Sequence, residues 1–355
     1  MPRTGSSPVR AGMAAPASAE AARSRPVSIE DVAGRAGVST ATVSRVLNNP
    51  ELVAPATAER VQRAIAELEY RPNLFAKGLM TRKSHVLGIA LPDIYGEFYS
   101  ELLRGADSEA RRLGYHLLVS SEARLNGKGA SSSLAFGLVD GLALMITEPN
   151  DALLKEAIRL DVPLVVLDSE VKGAKFDSVV VDNDVGTREA VEHLLQGTPA
   201  ARCCFVGGPK ENFDTQARVR TFTQVLKARG HDVKADQASF GEYSTEWGEK
   251  WALERHKAGK LKGSAVLCGN DEIAYGIMLV AQDSGLSVPK DVRLVGFDDS
   301  RLGRLMRPRL SSVRMPAAEV GAAAVQALVM RVSDSARAPR QLRLATNLIV
   351  RESSK

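Results

Sequence analysis

Asp168 follows the apolar run LVVL, Asn270 and Asp271 follow VLCG, Asp298 and Asp299 follow LVGF, and Asp93 follows IALP. Arg218 in ARVRTF and Tyr243 in GEYSTEW complete a set of side chains suited to a polyol. Carboxylates and Asn accept hydrogen bonds from adjacent hydroxyls, a guanidinium donates a two-pronged fork, and an aromatic face covers the apolar side of a sugar ring. Asp or Asn directly after a strand also serves as a turn or helix cap, and that structural role is the one expected for Asp93, Asp271 and Asp299. A second group lies near the start of the chain. In AGRAGVSTATVSRVLNNP, residues 33–50, the hydroxyls of Ser39, Thr40, Thr42 and Ser44 surround one long cation, Arg45. Ser and Thr hydroxyls bond phosphate oxygens, and an Arg reaches guanine O6 and N7 or a phosphate, so this group points to duplex DNA.

Catalytic chemistry finds no comparable support. None of His85, His116, His193, His231 and His256 makes a metal-ligand spacing with another His or a Cys. The chain contains no G-x-x-x-x-G-K-[ST] phosphate loop and no G-x-S-x-G elbow. The expectation is a protein that is not an enzyme and needs no metal or cofactor. Cys203, Cys204 and Cys268 lie within or at the end of apolar runs, as buried thiols of a reducing cytosol would. No run of 18 apolar residues occurs, so no membrane association is expected and the expected location is cytoplasmic.

The elements that must carry these groups follow from periodicity. Ser28 is a good N-cap, and Ile29, Val32, Ala33 and Ala36 then share one helical face. Gly37 ends that helix, since the turn needs positive φ. Ser39 caps a second helix, Thr40–Leu47, with Val43, Val46 and Leu47 on one side and Ala41, Ser44, Arg45 and Asn48 on the other. A third helix, about Ala56–Tyr70, points Val61, Ile65 and Leu68 inward, and the three together make a helix-turn-helix. Periodicity alone does not separate the outward face of the second helix from the solvated side of an ordinary helical bundle. Charge favours a polyanion: residues 1–85 hold 12 Lys and Arg against 7 Asp and Glu, which accounts for the whole net charge of +5. Part of that excess lies in the Ala/Ser/Pro-rich stretch 1–26, expected to be a disordered tail.

From residue 86 onward, continuous apolar runs (VLGIAL, HLLV, LALMI, PLVVL, VVV, CCFVGG, AVLC, RLVGF) alternate with helical patterns. Such runs indicate parallel strands buried on both faces. Their number suggests two similar α/β lobes, with ligands bound at the carboxyl ends of the strands.

DVAGRAGVSTATVSRVLNN, followed by YRPN, closely resembles the DNA-binding head of the lactose-repressor (LacI) family of bacterial transcription regulators. In the body, NDEIAYG, VPKDVRLVGFDDS, RPRLSSVRMP and LRLATNLIVRESS are similar to that family's effector-binding core, itself similar to periplasmic sugar-binding proteins. The resemblance runs from Val27 to about Ser353. It implies an all-α helix-turn-helix head and a body of two doubly wound parallel-sheet lobes. The expected division is a tail 1–26, a DNA-binding domain 27–72, a hinge 73–85 and a two-lobed effector-binding and dimerisation domain 86–355. It implies a regulator, of the repressor type, that binds a near-palindromic operator in double-stranded DNA as a homodimer and answers to a sugar-like effector. Thr40, Ala41 and Arg45 match base-reading positions, while Ser39, Thr42, Ser44 and Asn48 match phosphate-holding ones. Asn73 and Lys77 join the DNA-contacting set, and Leu79 matches the Leu that wedges into the minor groove. Phe98, Tyr99, Asp168, Arg218, Tyr243, Asn270 and Asp298 fall on effector-contacting places.

The chain departs from the family pattern at three points. Ala54 stands where a capping Ser is usual, GEFY replaces the usual Asn-Pro before the aromatics, and the stretch SSEARLNGKGASSSLAFGLVDG is short, which suggests a truncated helix. Two other classes stay in view: a regulator controlled by a partner protein, and a pure solute-binding protein.

Overall fold

The computed structural model describes residues 27–71, 83–121, 137–146, 152–169 and 176–355. The expected tail, most of the hinge (with Asn73, Lys77 and Leu79) and the segment with the expected truncated helix lie outside the described residues. Internal contacts divide the chain into two compact units, Met1–Lys77 and Gly78–Lys355.

In the first unit, three helices form around a small apolar core. Helix α1 (Ile29–Ala36) begins with a capping box, in which the Ser28 hydroxyl accepts from the Asp31 amide and the Asp31 carboxylate accepts from the Ser28 amide at 2.8 Å. Gly37 ends α1 at φ +64, where a Cβ would be strained. Helix α2 (Thr40–Asn48) starts at the Ser39 cap. Helix α3 (Pro55–Glu67) starts one residue earlier and ends three residues earlier than periodicity suggested. Pro55 opens it because its fixed φ suits the first helical position, and Glu69 at φ +49 turns the chain out of the helix. Ala54 makes no side-chain cap, as its composition demands. Val32, Val43 and Val61 are completely buried between the helices. Each contributes on the order of 1.5–3 kcal/mol, much of a small head's stability.

Among the described residues, the second unit contains two six-stranded sheets. The first lobe runs β11-β5-β4-β3-β1-β2 and is parallel throughout; the second runs β12-β10-β9-β8-β6-β7, with only β12 antiparallel to its neighbour. Their strands are β1 (Val86–Leu91), β2 (His116–Ser121), β3 (Gly141–Met145), β4 (Leu164–Leu167), β5 (Asp177–Asp182), β6 (Cys203–Gly207), β7 (Ala238–Phe240), β8 (Ser264–Cys268), β9 (Val292–Asp298), β10 (Ser311–Arg314), β11 (Gln341–Ala345) and β12 (Asn347–Ile349). Five strands of each lobe follow the same doubly wound order, which confirms the expectation of two similar lobes. Strands β3, β4, β6 and β8 are buried along their whole length, the burial that continuous apolar runs require. The three cysteines are buried and free, and burial pushes the Cys203 thiol up to about 12 and Cys204 up to about 11.

The chain passes between the lobes three times. After β5, helix α6 (Asn183–Leu195) packs on the second sheet. After β10, helix α11 (Ala317–Ser333) returns to the first lobe, and β11 is followed directly by β12. Helix α11 lies against α4 (Glu97–Arg112) at unusually close range. A Cβ at Gly105 would sit 1.9 Å from the Ala318 carbonyl oxygen, and one at Gly321 would sit 2.0 Å from that of Leu102. Both glycines are there because backbone meets backbone. The Gly105→Val protein should unfold with a loss of about 1–3 kcal/mol or more, since neither helix can yield without parting from its sheet; a denaturant titration with an unchanged midpoint refutes this packing account.

Candidate functional site

The surface of α2 presents the polar set as the sequence arranged it. Ser39, Thr40, Ala41, Arg45 and Asn48 are exposed, while Thr42 and Ser44 are half-buried. The Ser39 and Thr42 hydroxyls lie 3.0 Å apart, and the Thr42 amide donates to Ser39 Oγ at 3.2 Å. Asn48 Nδ2 donates to the Ser44 carbonyl at 2.8 Å, which fixes that amide on the helix surface. Among the described residues Arg45 has no ion-pair partner, so its guanidinium is available to an outside acceptor. The helix amino terminus at Ser39 adds a partial positive charge to the same surface.

In the second unit, polar groups gather at the carboxyl ends of the strands of both lobes. Asp168 follows β4 at φ +63 and Asp298 ends β9 at φ +105. Positive φ is uncommon away from Gly and, where it occurs, often marks a functional place. Arg218 lies one turn into α7 (Phe213–Ala228) and is 3% exposed. Its Nε donates to Asn183 Oδ1 at 2.8 Å, its Nη1 to the Gly269 carbonyl at 2.6 Å, and its Nη2 faces Met315 Sδ at 3.4 Å and Asp214 Oδ2 at 3.6 Å. The guanidinium carbon lies 3.7 Å from the centre of the Phe297 ring. Burial works against this cation, but Asp214, Tyr243, Asp298 and Asp168 hold its pKa above the ordinary value.

Two of the carboxyls around it, Asp168 and Asp298, are pushed up. Burial is the largest cause for Asp168, followed by the charge of Asp214 and a hydrogen bond with it, against which Arg218 pulls down. Burial also raises Asp298, with Asp271 adding to it and Arg218 opposing. Tyr99, in the first turn of α4, is raised by burial and by Asp168, Asp93, Asp214 and Asp298 together, which places it among the same carboxylates. Phe98 meets Tyr99 edge-on at 5.3 Å. The Tyr243 hydroxyl bonds Thr215 Oγ1 at 2.7 Å and Asn212 Oδ1 at 3.2 Å. Gly208 and Gly269 leave room for the Tyr243 ring, since a Cβ at either would lie 2.4 or 3.1 Å from it.

A second layer holds these groups in place. Asn270 spends its carbonyl oxygen capping α9 (Asp271–Asp283) and keeps its amide near the Tyr243 carbonyl at 3.5 Å. Asp271 is buried, as the structural role assigned to it requires, and accepts from the Ser300 amide and hydroxyl at 2.7 Å each and from Ser312 Oγ at 2.6 Å. It thereby binds the loop after Asp298 to β10. Asp93 makes a turn, accepting from the Ile94 and Tyr95 amides. Asp299 is neither a simple turn nor a cap: it is buried and gathers Arg314 at 2.8 Å, Arg351 and Arg304. Across the mouth, Glu97 of the first lobe accepts from the Arg301 amide at 2.6 Å, at the start of the short helix α10 (Arg301–Leu305).

Asp168, Arg218, Tyr243, Asp298 and Tyr99 therefore converge, Asn270 joins them through Tyr243, and Phe98 touches the site only through its edge contact with Tyr99. Sequence reasoning missed Asp214, Asn183, Asn212, Thr215 and Glu97. For two of these a signal existed: NFD begins a helix, with Asn212 as its cap and Asp214 one turn before Arg218.

Residues 28–73 match the family described as bacterial regulatory proteins, lacI family, and residues 191–354 match a periplasmic binding protein-like domain. The chain is 33% identical over 305 residues to catabolite control protein A of Priestia megaterium, covering 85% of this chain and 91% of that one. It is 30% identical to the HTH-type transcriptional regulator RegA of Clostridium saccharobutylicum, over 92% and 99% of the two chains. Among solved structures, it is similar to the lac repressor dimer bound to operator and the anti-inducer ONPF, with 28% identity, a TM-score of 0.82 and coverage of 93% and 99%. It is also similar to a complex of the transcriptional regulator CelR with cellobiose, with 28% identity, a TM-score of 0.70 and coverage of 92% and 99%.

Burial raises Asp271 from an ordinary value of 3.8 to about 6 in the folded chain, against the pull of its three serine hydrogen bonds. The folded state thus binds this proton more tightly than the unfolded one, and its contribution to stability falls as pH rises from 4 to 7. The stability advantage of the parent over Asp271→Asn should shrink by about 3 kcal/mol across that window, about two pKa units at 1.36 kcal/mol each. Chemical denaturation of both proteins at several pH values measures it, and a difference that stays flat or grows with pH contradicts the assignment.

Proposed function

Because this chain belongs to the lacI family of bacterial regulatory proteins, we propose that it is a transcription repressor that grips a near-palindromic operator as a homodimer and is switched by a sugar-like effector between its lobes. The observation that carries the reading is the exposed face of α2, with Ser39, Thr40, Ala41, Arg45 and Asn48 on a helix held at both ends of its turn. In this reading residues 27–72 read the DNA and residues 73–85 form the hinge. Residues 86–355 bind the effector and pair the two chains. Thr40, Ala41 and Arg45 meet base edges, Ala41 by apolar contact alone; Ser39, Thr42, Ser44 and Asn48 meet phosphates. Asn73 and Lys77 add contacts, and Leu79 wedges between base pairs of the minor groove. Two-fold symmetry of the protein matches the operator's inverted repeat.

The effector would lie among Phe98, Tyr99, Asp168, Arg218, Tyr243, Asn270 and Asp298. The relatives solved with cellobiose and with ONPF support a small sugar-like occupant. By contacting both lobes it biases their relative arrangement, and coupling to the hinge then shifts DNA affinity by no more than its differential affinity for the two states. The site works in the cytoplasm, without metal, cofactor or catalytic step; the relatives named above as regulators support that reading.

An inverted-repeat duplex selected from a random pool by the purified protein should bind far more tightly than a scrambled duplex of equal length. Arg45→Ala should lose about 10- to 100-fold on the selected duplex, the worth of one bidentate base contact, and little on the scrambled one. Equal losses on both, read by band shift, would remove the base-reading role.

A further inference from the structure

Resting on the reading of the cleft as an effector site, we propose that it admits polyols without an anionic group, prefers those carrying a cationic amine, and owes this preference to Asp214. Among the described residues, three carboxyls, Asp168, Asp214 and Asp298, lie around one cation, Arg218, and Tyr99 feels all three together with Asp93. The one cation is already engaged. Its Nε, Nη1 and Nη2 are directed to Asn183, the Gly269 carbonyl, Met315 and Asp214, and its face lies on Phe297. A phosphate or carboxylate entering the cleft would have to strip Arg218 from partners that also hold the fold together. It would also face three acids with no free counter-charge among the described residues, a like-charge encounter that disfavours entry. The nearby Arg304 does not change the balance, because Glu97 and Asp299 flank it at 3.6 and 3.8 Å.

The position of Asp214 makes the preference specific. Asn183 Nδ2 donates to its Oδ1 at 2.7 Å and Arg218 Nη2 lies 3.6 Å from its Oδ2, which fixes the carboxyl at the cleft. The charge of Asp214 is, after burial, the largest influence that pushes the Asp168 carboxyl up, so the two acids face the same space from opposite lobes. An ammonium group brings up to three donors and a positive charge to that place, where it answers both carboxyls and bridges the lobes. A neutral hydroxyl supplies one donor and no charge. Phe213, the residue before Asp214, packs against the apolar core of the first lobe, so the pair is held at a fixed crossing point between the lobes.

The test uses the full-length protein and a panel of D-glucose, D-galactose and D-mannose with their 2-amino and 6-phosphate forms, read by thermal unfolding and by calorimetric Kd. At least one aminohexose should bind about tenfold more tightly than its parent hexose, as a charge-assisted contact does over a neutral one, and no phosphate should bind. Asp214→Asn should bring the aminohexose down to the affinity of the hexose, and Asp168→Asn should do the same by removing the other half of the pair. Binding of a hexose phosphate, or equal affinity for hexose and aminohexose in the parent, overturns the charge preference and leaves the effector reading standing. Failure of every sugar in the panel overturns the effector reading and this inference with it.

Discussion

The second unit is organised around a cation that never reaches solvent. Arg218 touches the helix that follows β5 through Asn183, the end of β8 through Gly269, and the segment leaving β10 through Met315. Two of those three places lie where the chain crosses between lobes. A buried guanidinium is costly unless its donors are filled and its charge is answered. Here the filling is done by crossover segments and the answering by the acids of the cleft, so one requirement sets both the seating of the lobes and the character of the space between them. Remove the cation and three crowded carboxyls lose the one positive charge that the described residues place among them.

The head is built by a different economy. Its core is a handful of small aliphatic side chains, and its helix ends are defined by local hydrogen bonds within three residues of each other. Local signals of that kind can be read from a linear sequence, and the limits of α1 and α2 were legible from Ser28, Gly37 and Ser39. The buried strands of the body were legible for a related reason: a strand covered on both faces has to be apolar along its length. The expected two lobes of parallel strands follow directly from that.

Other features depend on partners far away in the chain and left no such trace. Strand β10, SSVR, is polar by composition, yet Ser311 and Ser312 are fully buried because Ser353, Arg351 and Asp271 satisfy them. Strands β11 and β12 are short or exposed and earn their place through a neighbour, β5 or β10, instead of through an apolar pattern. Asp299 looked like a turn residue because the three arginines that gather around it come from three other segments. Asp214 escaped because the group that gives it meaning, Asp168, belongs to the opposite lobe. Glu97 was visible only as a departure, GEFY, from an expected pattern; its partners, the Arg301 amide and the Arg304 side chain, lie some two hundred residues further along the chain.

The triple crossing of the chain between lobes has a consequence for how such a molecule can be cut or rebuilt. Neither lobe is a continuous stretch of sequence, so neither can be excised and expressed as a self-sufficient module: a shortened chain that stops before β11 strips an outer strand from both sheets at once. Gene fragments that respect apparent sequence boundaries would yield two damaged halves, whereas exchange of the head alone breaks no sheet.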